Sequence, residues 1–77
     1  MKVTRYAIKI HFANGNIAWV AFGKTNGYDT DPAFAMLYST EENANKNCAA
    51  KNLTYSRNPQ YGRYCEVVPI ITEFPEI

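Results

Sequence analysis

The sequence predicts an α+β domain: a small antiparallel sheet of three or four strands with one helix packed on one face, in ββαβ order. Three observations predict it. An alternating stretch, "RYAIKIHF", runs into Asn14-Gly15 and then a second β-branched and aromatic run. A capped stretch of small residues follows, "STEENANKNCAAKN", and a β-branched run, "CEVVPII", comes near the end. The chain has 77 residues, enough for one domain over 1–77 with one core. A chain of this size buries only about 60–65% of the surface it exposes when unfolded.

Tyr6, Ile8, Ile10 and Phe12 alternate with Arg5, Lys9 and His11, the period of a half-buried strand. Asn14-Gly15 suits a two-residue type I′ turn, whose central residues both need positive φ. Residues 17–22 then return antiparallel. A two-residue turn fixes the register, placing Phe12 opposite Ile17, Ile10 opposite Trp19 and Ile8 opposite Ala21. Tyr6 joins these on the core side. Lys9 with Val20, His11 with Ala18, and Ala7 with Phe22 fall on the outer side. A slip of one residue would exchange the faces.

"GKTNGYDTDPAF" reads as a loop, and "AFAMLYS" as a short third strand or extended segment. Ser39 is the expected N-cap, with Glu42 at the third helical position as in a capping box. The helix is expected over residues 40–52. Ala44, Cys48, Ala49 and Leu53 form a narrow apolar stripe, and small side chains let a helix lie close on a sheet. The loop "TYSRNPQYGRY" carries Asn58-Pro59 and Gly62 as breakers. "RYCEVVPII" is the last strand, with Pro69 confined to an edge or strand end because it has no N–H to donate. Residues 72–77 read as a loosely packed tail. The expected core is Tyr6, Ile8, Ile10, Phe12, Ile17, Trp19, Leu37, Ala44, Cys48 and Val67.

This order of elements resembles that of small proteins of Gram-positive phages and prophages. The likeness is carried by the hairpin, the "AMLYST" lead-in, the "STEENANKNCAAKN" helix and the "CEVVPI" strand. The resemblance implies a compact ββαβ-type domain and a phage or prophage context. It assigns no activity and no functional residue.

A net charge of +1 is not that of a bulk electrostatic nucleic-acid binder, which reads as a basic domain. No signal peptide or membrane-spanning run is legible, so the expectation is a cytoplasmic protein of a bacterial host, without membrane association and with both thiols reduced. No metal site is expected. His11 is the single histidine, and Cys48 and Cys65 lie too far apart for the paired spacings of zinc ligands. Asp29 and Asp31 begin like a calcium loop, but Thr40 stands where the bidentate glutamate is required. Nucleophilic catalysis needs a base in reach and a group that orients it. One histidine beside Lys9 and Arg5 supplies neither, and the scattered glycines build no phosphate loop. No catalytic residue, cofactor or enzymatic activity is therefore expected.

Two binding surfaces remain. Lys9, His11, Val20 and Phe22 on the outer hairpin face would form an apolar patch rimmed by charge, suited to an unknown protein partner or to a homodimer. The alternative is nucleic acid. Tyr55, Arg57, Tyr61, Arg63 and Tyr64 combine stacking rings with phosphate-binding cations over a short span. Tyrosines of small domains also close core edges with the ring buried and the hydroxyl wet, and that ordinary packing role takes the larger share for this loop. The leading expectation is a non-enzymatic binding module working through protein contact or self-association.

Overall fold

A computed structural model describes residues 1–23 and 27–75. Lys24, Thr25 and Asn26 of the expected loop, and residues 76 and 77 of the expected tail, lie outside the described residues. The elements are β1 (Lys2–Phe12), β2 (Ile17–Val20), β3 (Tyr28–Asp29), α1 (Glu41–Arg57) and β4 (Arg63–Glu73). They form one four-stranded antiparallel sheet in the order β3-β2-β1-β4 with a single α-helix, the α+β class expected.

The hairpin forms, but its register differs by one residue from the expectation. Lys9 faces Trp19, Ile10 faces Ala18 and His11 faces Ile17. The turn is the reason. Gly15 N–H donates to the Phe12 carbonyl at 3.0 Å, and Phe12 N–H donates to the Asn16 carbonyl at 2.9 Å. Gly15 takes φ +89°, whereas Asn14 does not have positive φ. This is a three-residue loop with a left-handed glycine after a type I turn, not a type I′ pair. Asn14 instead uses its side chain, accepting the Asn16 N–H at Oδ1 over 3.0 Å.

The faces of β2 are consequently exchanged. Ala18 and Val20 are buried with Ile8 and Ile10, while Trp19 lies on the opposite face and Ile17 is 41% exposed. The expected core loses Ile17, Trp19 and Leu37, and the buried set gains Ala7, Ala18, Val20, Ala21 and Cys65. Ile8, Ile10, Ala44 and Cys48 are buried as expected, with Phe12 and Val67 packed against them.

Helix α1 begins one residue later than expected and ends five residues later. Thr40, not Ser39, is the N-cap, its hydroxyl accepting the Asn43 N–H at 3.2 Å. Glu41 and Glu42 occupy the first turn, where the helix dipole favours acids. The end is set by Asn58, because the residue before a proline is disfavoured in the α region. Its φ of −127° and ψ of 70° leave the helix. The buried positions are Ala44 and Cys48; Leu53, expected in the stripe, is 53% exposed. Small buried residues, Ala44 and Cys48 on the helix and Cys65 on β4, let the helix lie close on the β1–β4 part of the sheet.

The third strand is displaced. "AFAMLYS" contributes one bridge, Tyr38 to Tyr6, and Met36 N–H donates to the Val20 carbonyl; β3 is the two-residue Tyr28–Asp29. Residues 72 and 73 of the expected tail belong to β4, and Phe74 N–H donates to the Met1 carbonyl at 2.8 Å. The β1–β4 ribbon outruns the helix and contributes to an elongated shape of 50 × 23 × 22 Å.

The outer edge of β4 is closed at two points. Tyr6 exchanges both backbone hydrogen bonds with Tyr38, so its partner Pro69 has its missing N–H on the outer edge, as required. At Cys65 the Asn52 side chain acts as a substitute strand. Its Oδ1 accepts the Cys65 N–H at 2.6 Å, and its Nδ2 donates to the Cys65 carbonyl at 3.0 Å. Asn52→Leu is expected to cost about 1–3 kcal/mol, the range for leaving such groups without partners. Urea denaturation measures it, and an unchanged midpoint would mean that water replaces the amide without penalty.

Candidate functional site

Helix α1 packs on the face carrying Ile8, Ile10, Ala18 and Cys65, and among the described residues no α-helix lies on the opposite face. Strand alternation and the observed registers set out that uncovered face in rows. Tyr64, His11 and Ile17 form one row; Glu66, Lys9, Trp19 and Asp29 form the next. Val68 lies beside Ala7, and Ile70 beside Arg5. Tyr38 packs into the core, so the adjacent Leu37 turns the other way, next to Ala7, and is 48% exposed.

The polar groups here engage one another. Tyr64 stacks on His11 with centroids 4.6 Å apart and planes 10° from parallel. His11 Nε2 lies 2.6 Å from Glu66 Oε1; a carboxylate only accepts, so Nε2 carries the hydrogen and donates. Lys9 Nζ sits 5.7 Å from the Trp19 ring centre, within cation–π range. Ala7 is fully buried among its larger neighbours. The result is an aromatic and aliphatic band with charges set among it.

Of the residues expected at a protein interface, Lys9 and His11 lie on this face. Val20 does not: it is 6% exposed in the core beneath α1, because the three-residue turn reverses β2. Phe22 sits in the turn after β2 and is 85% exposed, beyond the paired part of the sheet. Sequence reasoning missed Trp19, Ile17, Leu37 and Tyr64 as members of this face. For Trp19 and Ile17 the missing signal was the length of the turn, since one residue decides every side-chain direction in β2; Leu37 and Tyr64 are placed by the Tyr6–Tyr38 bridge and the β1–β4 register.

The five residues of the expected nucleic-acid surface do not share one surface. Tyr55 and Arg57 end the helix, Tyr61 belongs to a short 3-10 turn over Pro59–Tyr61, and Tyr64 faces the far side of the sheet. Arg63 is enclosed. Its guanidinium carbon lies 4.8 Å from the Phe12 ring centre, 5.1 Å from Tyr61, 5.6 Å from Tyr55 and 5.9 Å from Tyr28. Tyr55 and Tyr61 meet edge to face at 6.1 Å. Burial raises the Tyr55 pKa above the ordinary phenol value. Three of the five side chains thus pack together at the helix end, and Arg57 stays exposed.

The two thiols are buried and unbridged. Burial pushes the Cys65 thiol up to about 11, with the neighbouring Cys48 adding to it. Burial and then the charge of Glu66 raise Cys48. Thiols held protonated make poor nucleophiles and poor metal ligands. Among the described residues, no three His, Cys, Asp or Glu side chains converge on a point that could hold a metal ion. No helix among them is long and apolar enough to cross a membrane. No protein-family model, curated protein or solved structure matches the chain.

Proposed function

We propose that the chain is a non-enzymatic binding module whose working surface is the uncovered face of its sheet. One observation carries this reading: Trp19, Ile17, Leu37 and Tyr64 stand on the face opposite the helix, which no α-helix among the described residues covers, interleaved with Lys9, His11 and Glu66. Domains bury sheet faces against a second layer, and an apolar patch rimmed by charge is the common mark of a protein interface. Catalysis is disfavoured by the surroundings of the histidine. Glu66 orients His11, but the cross-strand neighbours of His11 are Tyr64 and Ile17, which leaves no activated nucleophile on this row.

The resemblance in element order makes a phage or prophage protein acting in the cytoplasm of a bacterial host the context we favour, working through protein contact or self-association. The nucleic-acid reading is weaker, since it requires Arg63 to leave four aromatic rings. Affinity capture from a host lysate tests the proposal when the wild-type chain is run beside Trp19→Ser and Leu37→Glu. The expected result is a captured protein lost with both variants and retained with Lys46→Glu, on the helix. Capture unaffected by either face variant would remove the sheet face from the reading. Salt-sensitive oligonucleotide binding abolished by Arg57→Ala would favour the nucleic-acid alternative.

A further inference from the structure

We infer that the uncovered sheet face is an isologous interface, and that its occupant is a second copy of this chain packed sheet on sheet. This rests on the reading of that face as the working surface, and it names the partner. A two-fold interface presents the same patch from both sides, so the patch must be compatible with itself. The face meets that condition in charge. It carries two permanent cations, Arg5 and Lys9, and two carboxylates, Glu66 and Asp29, set around the band of Trp19, Ile17, Leu37, Val68 and Ile70. A face of one sign would repel its copy, and a strongly charged partner finds no matching field here.

The area fits a weak, transient dimer. The eleven-residue strands β1 and β4 span about 36 Å and the four-residue β2 about 13 Å, at a spacing of ~4.8 Å. Each copy therefore offers roughly 400 Å², and the pair about 800 Å², the size of a transient contact and not of an obligate one. The edges serve self-association less well. Pro69 and the Asn52 clamp interrupt β4, and β3 is only two residues long. The face is what remains. Sheets stacked in this way lie about 10 Å apart and interdigitate their side chains, a layer the isolated chain lacks on this side.

Trp19 is the single tryptophan, so it reports on this contact directly. Sedimentation equilibrium from micromolar to millimolar concentration should show the mass rising to twice that of the chain, with the Trp19 emission shifting blue in step. Leu37→Glu should abolish both changes while far-UV circular dichroism stays that of the folded chain. Val68→Glu gives a second route should Leu37→Glu fail to fold. A monomer at millimolar concentration overturns the inference. So does a dimer that forms without a tryptophan shift or survives both folded variants. The two readings fail separately: a monomer whose lysate capture is lost with Trp19→Ser excludes a second copy and keeps the binding-module reading, whereas capture unaffected by the face variants removes that reading.

Discussion

Ala18→Glu should leave the chain unfolded at room temperature, whereas Trp19→Ser should fold at low concentration with most of its stability. Ala18 is fully buried opposite Ile10, in the core cluster that also holds Cys48 of the helix. A carboxylate there finds no cation within the core cluster of Ile8, Ile10, Val20, Cys48 and Cys65. Breaking buried charge balance in this way costs about 3–5 kcal/mol, and a core of this size rarely nets more than roughly 3–5 kcal/mol. The mutation therefore removes all or nearly all of the folding free energy. Trp19 lies half-buried on the opposite face, where truncation loses the Lys9 contact and the packing of a partly exposed ring but opens no part of the core cluster. An exposed cation–π pair is worth about 0.5–1 kcal/mol. Circular dichroism and urea denaturation of the two variants decide the matter. If the hairpin closed through a two-residue turn, the outcomes would exchange: Trp19→Ser would open the core and Ala18→Glu would sit in solvent.

That exchange marks where sequence reading stopped. The alternation from Arg5 to Phe12 and the Asn14-Gly15 pair were enough for the hairpin, and the glutamates after Ser39-Thr40 were enough for the helix start. Turn length was not legible, because Ala13-Asn14-Gly15 and Asn14-Gly15 are both good turns. The choice lies in tertiary packing. Ala18 is fully buried in a cluster with Ile8, Ile10, Cys48 and Cys65, and an indole at that position would have to displace these neighbours. The longer helix was hidden for a different reason. Thr54, Tyr55 and Ser56 are weak helix formers, and they continue the helix because Tyr55 packs against the core cluster. The role of Asn52 was invisible, since an asparagine in a helix carries no sign that it will bond a strand thirteen residues on. The candidate surface inherits the register difference: Lys9 and His11 lie on the face that β1 alone implies, and Val20 does not, because its face depends on the turn.

Arg63→Ala should lower stability by about 2–3 kcal/mol and leave nucleic-acid affinity unaltered, the reverse of what a phosphate-contacting arginine would show. The guanidinium carbon has four ring centres between 4.8 and 5.9 Å. Its Nε is buried without a hydrogen-bond partner. An unsatisfied buried donor costs about 1–3 kcal/mol, so the rings must return at least that much. Cation–π contacts reach about 2 kcal/mol when desolvated, and several rings share this cation. The arginine stem also covers apolar surface that alanine would expose. Arg63→Lys separates cation from shape. An ammonium keeps the charge but loses the flat guanidinium that stacks on rings, so about half of the loss should remain, read as a urea midpoint between those of wild type and alanine. The effect should vary little with added salt, because a cation enclosed by rings is screened far less than an exposed one. A stability change near zero for Arg63→Ala, with a salt-dependent fall in oligonucleotide affinity, would instead place Arg63 on a working surface and return the Tyr/Arg segment to function.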